Sequence, residues 1–451
     1  MKRLLLFTAV TVLCSLTSFG QTTLQVTFGE DGASATPEEM AAVETLEVLG
    51  EGNAQNLTLI KEACLLEGSK LRVLDFTSTE FPDKKIPEKA FYVETEDSGE
   101  DAARLSLDRI VFGSLNVDAV GAYAFKNVEC PEILIPGYLG KIGEEAFADC
   151  GVTAFPTPKV YGEIGNGAFS NCLGLTEVRL EDSFFSPLTI GEEAFSGCCN
   201  LRTVALGSGV TSIEYDAFEG TAVETLILPM SVETAWLTDM ESLREIWSLS
   251  PVPPALKIFP EGTDVVAKVC PGSVAKYLSS EGWSSCSNIE EFTSLPEEVE
   301  IEPSNFQIKI QGGCLSTVSF NFDGCGHPVI NSKMELFEDG KEAPVAVAAV
   351  VRDESANCLC VDAEFSYIEL TPGKEYHLVI PAGAFSKDGI PNAQFSRLLT
   401  YNGSLEGVEI VEGDDIYTTD DRLFDLHGRE VYEVVPGQPY IKGGKVFVET
   451  K

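Results

Sequence analysis

Three histidines, His327, His377 and His427, stand 50 residues apart from one another. A general acid or base needs a partner within hydrogen-bond reach, and histidines at this spacing read as structural or solvated. The sequence has no HExxH pair, no GxSxG elbow, no P-loop and no GxGxxG after a strand. It holds 71 acidic residues, yet no carboxylate pair stands out for acid/base work on a glycosidic bond. No spaced Asp-x-Asp-x-Asp-Gly loop points to calcium. Among the 13 cysteines, Cys358-Leu359-Cys360 is CxC, not the CxxC of zinc or redox sites. Cys270 with Cys286, and Cys314 with Cys325, offer possible bridges. Cys150, Cys172 and Cys198 each follow a repeated Phe by three residues, which marks them as small buried hydrophobes. These residues predict a protein that is not an enzyme, with no catalytic residues, no metal site and no cofactor.

A formal charge of −40 repels phosphate backbones and anionic membranes, so nucleic acid is excluded as a partner. Residues 1–20 read as an export signal, with Lys2-Arg3, the apolar run Leu4 to Leu13, and Ser18-Phe19-Gly20 before a cut at Gln21. Cys14 follows Leu13, where a lipobox wants a small residue. The apolar run is too short to span a bilayer, and no later stretch is long enough.

What must position any working side chain is a six-residue phrase that keeps returning. It reads Ile142-Gly-Glu-Glu-Ala-Phe147, Ile164-Gly-Asn-Gly-Ala-Phe169, Ile190-Gly-Glu-Glu-Ala-Phe195 and Ile213-Glu-Tyr-Asp-Ala-Phe218, with looser copies ending at Phe91 and Phe125. A period near 22–23 residues marks a leucine-rich type of solenoid. A second phrase alternates with it, as in Leu71…Leu74…Phe76, Leu107…Ile110…Phe112 and Leu175…Val178…Leu180, down to Leu243…Ile246. The two phrases predict one short strand and one turn of helix per repeat. Stacked repeats pair strand to strand and share an elongated core.

Before the repeats, Thr22 to Phe28 alternates like a strand, and Asn56 to Glu67 reads as a helix capped by Asn56. The run Trp247 to Pro254 holds three prolines and predicts the end of the repeats. Val269 to Ile289 then reads as a strand, a capped helix and a closing segment. Beyond the Pro- and Glu-rich stretch 294–303, strict alternation and Asp-Gly turns predict a β-sandwich. The domains expected are a signal peptide (1–20), an N-terminal cap (21–70), the repeats with their C-terminal cap (71–292), a linker (293–303), the sandwich (304–402) and a tail (403–451).

The Ile-Gly-x-x-Ala-Phe phrase with its following Cys resembles the BspA-like leucine-rich repeat family of bacterial exported proteins. The ending Val269-Cys-Pro-Gly-Ser-Val-Ala-Lys-Tyr277, Gly282-Trp283 and Asn288-Ile289 resembles that family's closing segment. Leu370-Thr-Pro-Gly-Lys-Glu-Tyr376 and Val379-Ile-Pro-Ala-Gly383 resemble bacterial Ig-like modules. Leu423-Phe-Asp-Leu-His-Gly-Arg429 is similar to C-terminal tails of exported proteins, some of them sorting signals. The fold so implied is a β-rich α/β leucine-rich-repeat solenoid followed by an all-β Ig-like sandwich. The resemblance implies a secreted or outer-surface protein of a Gram-negative-type bacterium, several of whose relatives are adhesins for host proteins or other cells. It supplies no catalytic residues.

In the strand phrase, the third and fifth positions point outward. The third read Val73, Arg109, Glu132, Ala154, Glu177, Thr203, Thr225 and Glu245; the fifth read Asp75, Val111, Leu134, Pro156, Arg179, Ala205, Ile227 and Trp247. An apolar ladder on an outward face suits protein recognition, with Trp and Arg as anchors. The expected ligand-binding residues are therefore Arg109, Val111, Glu132, Leu134, Glu177, Arg179, Ile227 and Trp247. The expected partner is an extracellular protein, from host matrix or another cell surface. A surface scaffold without a dedicated ligand and a glycan-binding protein are the alternatives. The ladder's single aromatic speaks against the glycan reading.

Overall fold

The computed structural model describes residues 22–29, 32–94, 104–157, 159–181, 187–257 and 264–296. It also describes, with short interruptions, 303–411, and the backbone of short strands at 15–16 and between 423 and 448. The rest of the leader, the acidic insert at 95–103, the insert at 182–186, Cys325 and Cys358 lie outside the described residues. The chain divides into two compact units, Met1–Phe292 and Thr293–Lys451.

The sequence pattern predicts one strand per repeat; the structure has two. The first strand carries the outward ladder, as in Arg109–Phe112, Glu132–Leu134, Glu177–Arg179, Thr203–Ala205, Thr225–Leu228 and Glu245–Ser248. The second ends on the phrase's Ile, as in Leu139–Ile142, Val160–Ile164, Leu188–Ile190 and Val210–Ile213. These second strands belong to an eight-stranded parallel sheet running from Lys85–Ile86 to Ala255–Lys257.

Ala-Phe lies in a turn, not the helical turn that the pattern suggests. Two residues of the segment hold left-handed backbone, for example Glu145 (φ 46°) and Asp149 (φ 55°), or Glu193 (φ 54°) and Gly197 (φ 72°). Left-handed residues break helical hydrogen bonding within the repeat. The freed amides bond the next repeat instead. The Phe125, Phe147 and Phe169 N–H groups donate to the Ala146, Ala168 and Ala194 carbonyls, each at 2.7 Å. The turn is thus a third ladder between repeats.

Inside this ladder the Phe rings form a stack. Phe91, Phe125, Phe147, Phe169, Phe195 and Phe218 lie 4.8–5.4 Å apart, centroid to centroid, with neighbouring planes within 13° of parallel. All are buried. The phrase's Gly has a steric reason. A Cβ on Gly143 would sit 2.6 Å from the Ala122 backbone nitrogen, and one on Gly165 2.8 Å from that of Glu144. At these two positions a side chain would force the neighbouring repeat's backbone to shift.

Cys150, Cys172 and Cys198 are buried beside the stack. The Cys172 and Cys198 thiols donate to the Phe147 and Phe169 carbonyls at 3.0 Å. Cys286 and Cys314 are free thiols, so neither of the possible bridges is formed.

The first sheet is not continuous. Its hydrogen-bonded pieces hold seven, two and four strands. One break falls where the repeat at Val152 carries Pro156, which has no N–H to give a ladder. The proline run after Trp247 does not end the stack, contrary to the pattern. Ala255–Lys257 adds a strand to the second sheet; Val266–Val269 and Asn288–Glu291 add two to the first. The prolines occupy the connection, where no amide is required. Trp283 and Tyr277 close this end, edge to face at 4.7 Å. The Trp283 indole donates to the Pro254 carbonyl at 2.8 Å, and the Tyr277 hydroxyl donates to the Ser250 carbonyl at 2.7 Å.

At the other end, Thr22–Gly29 and Thr45–Glu51 extend the first sheet. The helix between them and the repeats spans Ala54–Leu65, and its cap is Asn53 rather than Asn56. The Asn53 side chain accepts from the Asn56 N–H at 2.9 Å. A short helix at Pro37–Ala41 opens with a capping box of Thr36 and Glu39.

The second unit is antiparallel throughout its described pairings. Eight strands run in the spatial order Pro303–Gln311, Cys314–Phe322, Cys360–Glu369, Ala346–Arg352, Lys333–Glu338, Glu375–Ile380, Phe395–Ser404 and Gly407–Val411. Val318, Phe320, Met334, Leu336, Leu378 and Ile380 are buried. A four-stranded antiparallel sheet over Leu423–Val448 follows.

Candidate functional site

The outward ladder is built by strand alternation. In Arg109–Phe112, Ile110 and Phe112 are buried while Arg109 is exposed and Val111 half-buried. Glu132–Leu134 repeats the pattern, so register brings Arg109 beside Glu132 and Val111 beside Leu134. The Arg109 Nε lies 3.1 Å from the Glu132 carboxylate. Glu177 and Arg179 form an ion pair along one strand. On the last hydrogen-bonded piece, Ile227 lies half-buried beside Trp247. The structure therefore brings these residues together in three groups, not in one unbroken row.

Trp247 differs from its expected place as an exposed anchor. It is only 8% exposed. The Phe292 ring packs against it at 5.6 Å, and the Lys268 ammonium stands 5.9 Å from its ring centroid. Its indole N–H donates to the Glu245 carboxylate at 3.0 Å. The residues that cover it come from the closing segment, which the repeat phrase does not describe.

The ladder is also longer than its phrase. Gln25 and Glu47 extend the fifth-position row beyond Asp75, and Lys268 and Glu290 extend it beyond Trp247. Sequence reasoning missed these four because the terminal strands lack the repeat phrase. Period-2 alternation, as in Leu46-Glu47-Val48 and Ala267-Lys268-Val269, was the available signal.

Elsewhere the chemistry is sparse. His377 is part-exposed and lies 3.7 Å from the Asp339 carboxylate. Burial pushes the Cys64, Cys130 and Cys150 thiols up to about 12, and Cys286 to about 11. The Cys172 thiol is raised by its hydrogen bond with Cys198 and by burial. Such thiols are poor nucleophiles and poor metal ligands. Asp216, Glu219 and Asp239 bring three carboxylates together, with ligand atoms within 4.8 Å of one another. The Asp216 carboxylate is already bonded by the Thr238 hydroxyl.

Stacked repeats of two parallel strands, with a leucine-rich strand phrase and one shared core, define a leucine-rich repeat protein. Residues 118–236 match, in 6 copies, the family described as "BspA type Leucine rich repeat region", and this stretch consists of BspA-type repeats. A leucine-rich repeat protein from Bacteroides ovatus is similar at 17% identity, over 62% of this chain and 75% of that one, with a TM-score of 0.32. A leucine-rich cell surface protein from Faecalibacterium prausnitzii is similar at 16% identity, over 61% and 70%, with a TM-score of 0.32. A leucine-rich repeat protein from Eubacterium ventriosum is similar at 14% identity, over 60% and 80%, with a TM-score of 0.23. No curated protein matches the chain. Among the described residues, no helix is long and apolar enough to cross a membrane.

Proposed function

We propose that this chain is an exported protein that binds other proteins through the outward face of its first sheet. One observation carries the reading. Half-buried Val111, Leu134 and Ile227 lie on a sheet face beside ion-paired Arg109–Glu132 and Arg179–Glu177. Apolar surface framed by charge is the composition of a recognition patch. The stacked repeats behind it hold the backbone of the patch in place, which lowers the ordering cost of binding. The resemblance of the leader to an export signal and the BspA-type repeats support a role as a secreted or surface adhesin for host or neighbouring-cell proteins. On this reading the second unit is an Ig-like spacer and the tail a sorting or attachment segment.

The test is a pull-down of extracellular matrix and cell-surface proteins on the full chain, beside a variant carrying Arg109→Ser, Arg179→Ser and Ile227→Glu. A captured protein lost from the variant supports the face. Equal capture by both proteins removes it.

A further inference from the structure

On two adjacent strands the first sheet places like charges directly opposite each other. Glu47 on Thr45–Glu51 is in register with Asp75 on Val73–Glu80, and Glu51 is in register with Glu80. Glu47, Glu51 and Glu80 are exposed and Asp75 is half-buried. Among the described residues no ion pair reaches any of the four. Glu47 accepts only a weak 3.4 Å bond from the Gln25 amide, and Asp75 accepts the Thr77 N–H at 2.8 Å. Opposed like charges destabilise a sheet.

The three cations of the ladders do not relieve them, because each is already committed to a nearer carboxylate. Arg109 pairs with Glu132, Arg179 with Glu177 and Lys268 with Glu290. These four carboxylates are thus left open to a cation from outside the two ladders. The same row continues directly from acid to apolar, Glu47 to Asp75 to Val111 to Leu134. The apolar pair thus begins one strand spacing, about 5 Å, beyond Asp75.

We propose that the partner of this face is a basic protein segment. Its lysine or arginine side chains pair with Glu47, Asp75, Glu51 and Glu80, and an adjoining apolar side chain rests on Val111 and Leu134. The inference rests on the recognition face proposed above and adds the partner's chemistry to it. Charge complementarity gives the encounter and its salt dependence; the apolar rungs give the place.

The probe is a random 12-residue peptide library displayed on phage and panned against the immobilised full chain. The expected enriched peptides carry clustered Lys or Arg next to a large apolar residue. Made synthetically, they weaken severalfold between 50 and 300 mM salt. They lose about tenfold or more in affinity for the quadruple variant Glu47→Gln, Asp75→Asn, Glu51→Gln and Glu80→Gln, and for Leu134→Ser. The quadruple variant removes repulsion, so its melting temperature does not fall, and lost binding is not lost folding. Neutral or acidic peptides that fail on Leu134→Ser but ignore the quadruple variant overturn the basic partner and leave the recognition face standing. Peptides indifferent to both variants, or no enrichment at all, overturn both. Equal binding of a scrambled peptide of the same composition reduces the effect to unspecific attraction and also overturns the inference.

Discussion

At the scale of the residue, the repeat is set by backbone positions that tolerate few side chains. The left-handed residue after the phrase's Phe is Asn127, Asp149, Asn171, Gly197 or Gly220, all types that adopt this conformation readily. The one before its Ala is Lys89, Tyr123, Glu145, Gly167, Glu193 or Asp216. Glu193→Gly is expected to stabilise the first unit by about 0.5–1 kcal/mol, because glycine carries no left-handed penalty; urea denaturation measures it. The first set was readable as turn residues. The second was not, because Glu and Lys there look like helix formers, and that misdirected the expectation of a helical turn. The buried thiols give a pH dependence. Cys64, Cys130 and Cys150 ionise near 12 when folded against an ordinary 9.0. Their folded values are raised, so the stability they confer is complete below pH 9 and is lost as pH rises from 9 towards 12. Each contributes a loss of about 1.4 kcal/mol per pH unit in that window. The urea midpoint is expected to fall between pH 8 and 10, and to fall less in Cys150→Ala compared with its own value at pH 8.

At the scale of the element, stacking is what holds each repeat. Phe169 lies between Phe147 and Phe195 at 4.8 and 5.3 Å. Phe169→Ala is expected to cost about 3–5 kcal/mol, since two neighbours lose a shared ring. Combined with Phe147→Ala, the two costs are expected not to add, because both changes empty one cavity; a double-mutant cycle by urea denaturation checks it. The inward Phe and Leu positions and the outward ladder were legible, because period-2 alternation assigns each side chain a face. The second strand was not. Segments such as Leu188-Thr-Ile190 are three residues long and hold their place by pairing with neighbouring repeats, a non-local cause. The burial of Trp247 was hidden for the same reason, since Phe292 lies 45 residues away in sequence and meets it only through the closing strands.

At the scale of the whole molecule, the chain holds a stack of parallel strands, of which residues 118–236 match BspA-type repeats, and an antiparallel second unit. Of its 71 acidic residues, Glu47, Glu51, Asp75 and Glu80 stand opposite one another on the strands Thr45–Glu51 and Val73–Glu80. Because the units are separately compact, denaturation of the full chain is expected to show two transitions, and Phe169→Ala to shift one of them. The central claim is that the outward face of the first sheet is where a partner rests. Hydroxyl-radical footprinting of the full chain, with and without a captured partner, reads side-chain exposure directly. Protection is expected at Val111, Leu134 and Ile227, with no change at Tyr161 and Trp236 on the strands of the second sheet. Protection at Tyr161 and Trp236, with Val111 and Leu134 as reactive as in the free protein, would contradict the account.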